Sequence, residues 1–237
     1  MEMDEGSPLS SDRKATMNHV LRRRILTMRL APGAVVDEVA LSEEFGLSRP
    51  PVRELMRQMA GEGYIELEAN RPARVASMSY QSLRDFFLVA PMIYVATTKL
   101  AAENARPSEI EALKLTQSRF KEAIRQSDID GRVFLNDEFH LSIGKMAHNP
   151  YLLPSLRRLL IDHGRIAKIF YRPNNAEMQG DLDTASNQHD EIIEAIESRN
   201  GERAAEITRA HLDLSRKNIA MYATPEGMDM HLGGAVT

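Results

Sequence analysis

Residues 41–54 read LSEEFGLSRPPVRE, and the interpretation of that stretch decides the fold. It reads as a short helix, a turn at Gly46, and a second helix opened by Ser48. Glycine takes the left-handed backbone conformation that ends helices, and serine is a favoured N-cap. Pro50 and Pro51 fall in the first turn of the second helix, where the N–H groups have no intrahelical partner to lose. Val52, Leu55, Met56 and Met59 follow at helical spacing, and Gly61-Glu62-Gly63 closes the segment. Two short helices joined this way form a helix-turn-helix, which sets a helix N-terminus into a DNA groove.

Upstream, a helix is expected from about Lys14, through His19, Val20, Leu21, Ile25 and Leu26, with Arg22, Arg23 and Arg24 alongside. Ala31-Pro32-Gly33 ends it. Asp37 or Glu38 then opens the helix that leads to Gly46. Downstream, residues 64–68 alternate as a strand does, 69–73 turn, and 74–76 return. Three helices and a hairpin make residues 13–78 a winged helix-turn-helix. Residues 1–12 are small, polar and acidic, and are expected to be disordered.

The chain has 237 residues, 43% of them hydrophobic and 27% charged, an ordinary globular composition. Its net charge of −4 speaks against nucleic acid, but the distribution reverses that reading. Residues 13–78 hold 11 Lys/Arg against 8 Asp/Glu, whereas residues 79–237 hold 19 against 22. With no cysteine, disulfides and thiolate metal sites are excluded, leaving His, Asp, Glu and Asn as metal ligands. No apolar run of about 18 residues and no basic leader is evident, so no membrane partner and a cytoplasmic location are expected.

After Ser79 the patterning turns almost wholly helical. Six to seven helices are expected over residues 79–222: 83–103, with a kink at Pro91, one from Pro107, 129–147, 151–170, 182–198 and 202–222. Residues 172–175 read as a polar loop, and 223–237 as a flexible tail. The fold class is mainly α: a winged helix-turn-helix followed by an all-helical bundle.

Residues 25–76 resemble the DNA-binding domain of the GntR family of bacterial transcription regulators. The resemblance is carried by LAPG at 30–33, by LSEEFGLSRPPVREL, and by GYIELEANRPARVA at 63–76. The second half resembles the FCD domain of that family's FadR-type branch, through NDEFHLSIGKMAHNPYLL (136–153) and QHDEIIEAIESRNGERAAEITRAHL (188–212). The resemblance implies a homodimer on an inverted-repeat double-stranded DNA operator, usually a repressor, released by a small organic-acid effector.

Arg49, Arg53 and Arg57 recur at i, i+4 and i+8 and form a stripe on the third helix. In the first turn, Arg49 is placed for the major groove, where arginine pairs with guanine O6 and N7. Arg53 and Ser48 suit phosphate. On an isolated helix the same stripe would read as a solvated face paired with Glu54. Arg49 and Arg53 match the arginines of the family's SRTPVRE signature. Val39 stands where some relatives carry a base-contacting Arg, and Pro72 where most have Gly in the wing. Asn70 can turn the wing instead, placing Arg71 and Arg74 near the minor groove or backbone.

Asn136 and His140, at i and i+4, lie about 40° apart on one helix face. His189 shares a side with Ile193 and Ile196, and His211 with Ala204, Ile207 and Thr208. Taken singly, each histidine reads as a hydrogen-bonded core residue. Three of them on separate core-facing helices, with a side-chain amide, point to a shared ligand. The resemblance implies that Asn136, His140, His189 and His211 bind a divalent ion, zinc or nickel, with positions open to a carboxylate effector. Asp137 is a rival oxygen donor to Asn136. Arg157, Arg158 and Arg165 are candidate counter-charges for that effector, with a surface role the alternative for Arg157 and Arg158. Ala90 and Tyr94 stand where many relatives have Arg and Glu, implying a less charged pocket and an effector larger or more apolar than lactate or citrate. Two alternatives remain open: direct metal sensing, and a metal-dependent enzyme tethered to DNA.

Overall fold

The structure, a computed structural model, describes residues 8–171 and 176–223. Helix α1 (Pro8–Leu26) opens the chain, six residues before the expected start. The acidic stretch expected to be disordered is therefore helical from Pro8 onward, because proline at the first helical position sacrifices no bond. Helix α2 (Glu38–Phe45) is capped by Asp37, whose carboxylate accepts from the N–H groups of Val39 at 2.7 Å and Ala40 at 3.1 Å. Gly46, at φ 60°, ends it. Ser48 holds the N-cap position of α3 (Arg49–Glu62) in extended geometry, but its hydroxyl makes no bond to the helix backbone.

The hairpin is shorter than the alternation predicts. Strands β1 (Ile65–Glu66) and β2 (Arg74–Val75) pair Ile65 with Val75 and Glu66 with Arg74, and Val35 bridges to Arg74. Leu67 is 46% exposed, so the chain leaves the sheet there. Asn70 turns the wing at φ 59°, the conformation its residue type permits.

Six helices follow among the described residues: α4 (Tyr80–Asn104), α5 (Pro107–Arg125), α6 (Ile129–Met146), α7 (Leu152–Phe170), α8 (Ala176–Glu197) and α9 (Gly201–Ala223). Helix α8 starts six residues before the expected position. The expected loop at 172–175 and the tail from 224 lie outside the described residues. Helix α4 continues through Pro91 and, contrary to expectation, is long and apolar enough to cross a membrane by length and composition alone. Here it serves the bundle. Phe86, Ala90, Tyr94, Thr98 and Ala101 are buried against α6, α7, α8 and α9. At its end, the Arg199 guanidinium donates to the carbonyls of Ala102, Glu103 and Ala105 at 2.6–3.1 Å, satisfying acceptors that the helix leaves open.

The two halves share one apolar cluster. It runs from Leu21, Ile25, Leu55 and Met59 of the winged domain to Phe120, Val133 and Ile161 of the bundle. Gly164 of α7 lets α1 approach, since a Cβ there would meet Leu26 Cδ2 at 2.9 Å. Around this seam, Arg29 donates to Asp130 at 2.7 Å, Lys168 pairs with the same carboxylate, and Arg165 donates to the Ala76 carbonyl at 3.1 Å.

Candidate functional site

The α3 N-terminus is open. Arg49 and Arg57 are exposed and meet no hydrogen-bonding partner among the described residues, so neither guanidinium is committed to the fold. Arg53 Nε donates to Glu38 Oε2 at 2.8 Å. In the wing, Arg71 pairs with Glu68 at 2.5 Å and Arg74 donates to the Gly33 carbonyl at 2.8 Å. A groove of about 520 Å³ separates α3 from the wing, with Arg53, Arg57 and Arg71 on its walls. The apolar side of α3 (Val52, Leu55, Met56, Met59) is buried, which fixes the arginine stripe outward. Exposed ion pairs of this kind contribute little to stability, so phosphate can replace Glu38 or Glu68 at small cost.

Inside the bundle, α6, α8 and α9 bring His140, His189 and His211 together. Their ligand-capable nitrogens lie within 4.8 Å of one another, and no carboxylate joins them among the described residues. The predicted trio is thus assembled, and Asp137 is not part of it. Asn136 sits one turn before His140 and is 1% exposed. Its Oδ1 and Nδ2, with His140 Nε2 and His189 Nε2, are buried without hydrogen-bond partners among the described residues. Leaving buried polar atoms unpaired costs about 1–3 kcal/mol each, so a cluster of four calls for a ligand. The rear nitrogens are held: His189 Nδ1 meets Gln117 Oε1 at 3.1 Å, and His211 Nδ1 meets Gln188 Oε1 at 3.2 Å. Such outer bonds fix the ring orientation of a metal-ligating histidine. Phe139 stacks on His189 with centroids 3.9 Å apart.

Burial, reinforced by the neighbouring imidazoles, holds His140 and His189 well below the usual histidine range. It holds His211 at about 4. All three are neutral near pH 7, the protonation state a metal ion requires. Three imidazole nitrogens and an amide oxygen suit a borderline divalent ion such as zinc or nickel.

A fourth histidine escaped the sequence reading. His163 of α7 is buried, with its ring 4.9 Å from that of His140, and its Nδ1 pairs with the Tyr94 hydroxyl at 2.8 Å. Burial keeps His163 at about 3 and the Tyr94 hydroxyl well above its ordinary value, so both are uncharged. Tyr94 also sets its edge against His140 at 5.3 Å. The signal was present: His163 continues the buried series Leu156, Leu160 on α7. Arg165, expected as an effector counter-charge, lies elsewhere. It is fully buried at the domain junction, on Ala76 and Asp162. Two positions on a helix differ by about 200°, so His163 and Arg165 face opposite ways. Arg157 and Arg158 also line the junction instead of the histidine cluster.

A winged helix joined to an all-helical bundle is the architecture of a two-domain transcription regulator, and the comparisons agree. Residues 14–75 match the profile "Bacterial regulatory proteins, gntR family", and residues 91–214 match that of the FCD domain. The chain belongs to the GntR family of bacterial transcription regulators, in the branch that carries an FCD domain. It is 26% identical over 194 residues to the HTH-type transcriptional repressor RspR of Escherichia coli (strain K12), covering 81% of this chain and 82% of that one. With the repressor GlaR of the same strain it shares 25% over 197 residues, 81% of this chain and 89% of the relative. Among solved structures, E. coli McbR/YncC superposes with a TM-score of 0.72 at 19% identity, over 88% of this chain and 96% of that one. A GntR regulator from Rhodococcus sp. RHA1 gives 0.67 at 16% identity, over 89% and 99%. These relatives are DNA-binding regulators, which sets aside the DNA-tethered enzyme.

Proposed function

We propose that this chain is a cytoplasmic, effector-responsive repressor that binds an inverted-repeat operator as a homodimer and senses a small carboxylate at a divalent-metal site. The observation that carries the reading is the set of buried, unpartnered donor atoms on Asn136, His140 and His189 beside His211. Those four residues would hold the ion. When bound, it supplies a Lewis-acidic centre with positions open to carboxylate oxygens. Tyr94 and His163, both neutral, flank His140 and orient the remainder of the effector. This favours a molecule with one anionic end and an apolar or hydroxylated body. On the DNA side, Arg49 reads bases. Ser48, Arg53, Arg57, Asn70, Arg71 and Arg74 engage the backbone and the adjacent groove.

The test is operator release, followed by fluorescence anisotropy, from zinc- or nickel-loaded protein challenged with carboxylates one at a time. One structural class is expected to weaken operator binding at least tenfold, and chelation alone to change it less. A chelator effect of an order of magnitude with no responsive carboxylate would assign direct metal sensing instead.

The homodimer is supported by α4. Leu88 and Met92, one turn apart, are 71% and 70% exposed, with Val89 beside them at 41%. An apolar helix face of this kind is a partner surface, and a second copy meets it symmetrically. Leu88→Glu with Met92→Glu is expected to convert dimer to monomer by light scattering. Operator affinity should then fall at least a hundredfold, because the second half-site is no longer tethered. An unchanged dimer mass would move the interface off α4.

A further inference from the structure

A cavity of about 450 Å³ lies between the two domains and belongs neither to the DNA-reading face nor to the histidine centre. One wall is the end of α3 and the start of the wing (Glu62, Tyr64), with Arg22 of α1. The other is α6 and α7, with Asp137, Lys145, Arg157 and Arg158. Two of its arginines are occupied. Arg22 donates to Asn18 Oδ1 at 2.7 Å, pairs with Glu62 and lies over the Tyr64 ring at 4.9 Å, while Arg158 pairs with Asp162 at 3.0 Å. Lys145 and Arg157 meet no carboxylate among the described residues. Opposite in character is Asp137, a carboxyl residue that lines the cavity and whose Oδ1 has no hydrogen-bond partner among the described residues. After internal pairs among the described residues are set aside, the cavity presents two cations without a carboxylate and one carboxyl group.

That combination is specific. Two unpaired cations, one of them a guanidinium fork, match a dianion. The Asp137 carboxyl on the same wall offers an acceptor to a hydroxyl or ammonium donor on the same ligand. Leu141, Leu160 and Pro154 supply apolar contact for a short carbon skeleton. We propose that this interdomain cavity is a second ligand site, taking a small hydroxylated dianion whose charge sits on Lys145 and Arg157 and whose hydroxyl donates to Asp137. A phosphomonoester and a dicarboxylate share this chemistry. Because the walls come from both domains, the ligand fastens one to the other. Its position matters for DNA: Gly63, at φ 90°, ends α3, and a Cβ there would overlap Arg158 Cδ at 2.5 Å. The recognition helix thus ends directly on the cavity wall, and occupancy selects one setting of that helix.

The test is isothermal titration of the full-length protein with inorganic phosphate, glycerol 3-phosphate and malate in separate arms. Saturable binding of at least one arm is expected, with glycerol 3-phosphate above phosphate if the hydroxyl reaches Asp137. The arm that binds identifies a phosphomonoester or a dicarboxylate. Lys145→Gln with Arg157→Gln should weaken that binding at least tenfold. Both side chains are exposed, so an unchanged melting temperature accompanies the loss. His189→Ala with His211→Ala should leave it intact, which separates this site from the metal centre. Binding that survives Lys145→Gln with Arg157→Gln, that vanishes in the histidine variant, or that is absent for all three probes overturns the proposal.

Discussion

Arg49→Ala is expected to abolish specific operator recognition while the protein stays folded. Arg49 is exposed in the first turn of α3 and has no partner to abandon among the described residues. Its removal therefore costs the fold little, as surface substitutions do. A bidentate arginine–guanine contact contributes about 1–3 kcal/mol of discrimination. A dimer loses it twice, about 2–6 kcal/mol, which corresponds to roughly 30-fold to more than 10⁴-fold in affinity. Non-specific binding rests on the phosphate contacts and should persist, with Arg53 and Arg57 still in place. A footprint identical to the wild type would show that the α3 N-terminus does not read the operator.

His189→Ala combined with His211→Ala should remove stoichiometric metal, measured by elemental analysis of the purified protein. The second readout is thermal. A ligand at 100 times its Kd stabilises the folded state by about 2.7 kcal/mol. At this chain length that raises Tm by roughly 5–10 °C. Truncating two buried side chains also lowers the baseline Tm, so the diagnostic quantity is the increment produced by adding zinc or nickel. That increment should disappear. Metal retained at one equivalent, with the increment intact, would place the site elsewhere. The neutral state of the three imidazoles follows from their burial, so the proposed metal ion would enter near pH 7 without first displacing an imidazolium proton from these rings.

Local chemistry explains why so much of this was readable in advance. Asp37, Gly46 and Gly63 mark helix ends because a side-chain acceptor or a left-handed backbone is required at those points, whatever the surroundings. Asn70 turns the wing for a similarly local reason. His189 and His211 were identifiable because each shares a helix face with apolar residues, and His140 through its i, i+4 pairing with Asn136 and the family resemblance. What stayed hidden depends on how helices cross. His163 joins the cluster because α7 lies against α4 and α6, a relation absent from any one helix's periodicity. Arg165 looked like a pocket residue because it is a cation on a core helix, yet its neighbours come from Asp162 and the distant Ala76. The truncated hairpin shows the reverse error, in which alternation at 64–68 predicted more pairing than its partner strand provides.

The placement of His163 and Arg165 on opposite sides of α7 has a hereditary consequence. One helix serves as the common wall of the proposed chemical detector and of a mechanical seat. On that proposal, a substitution on this helix that enlarges the detector would also disturb the seat on which Ala76 rests. In such a chain, ligand preference and the unliganded level of gene silencing do not drift separately. Descendants that acquired a new inducer at the proposed site would inherit a shifted baseline with it, and would regain the old one through changes elsewhere along the seam.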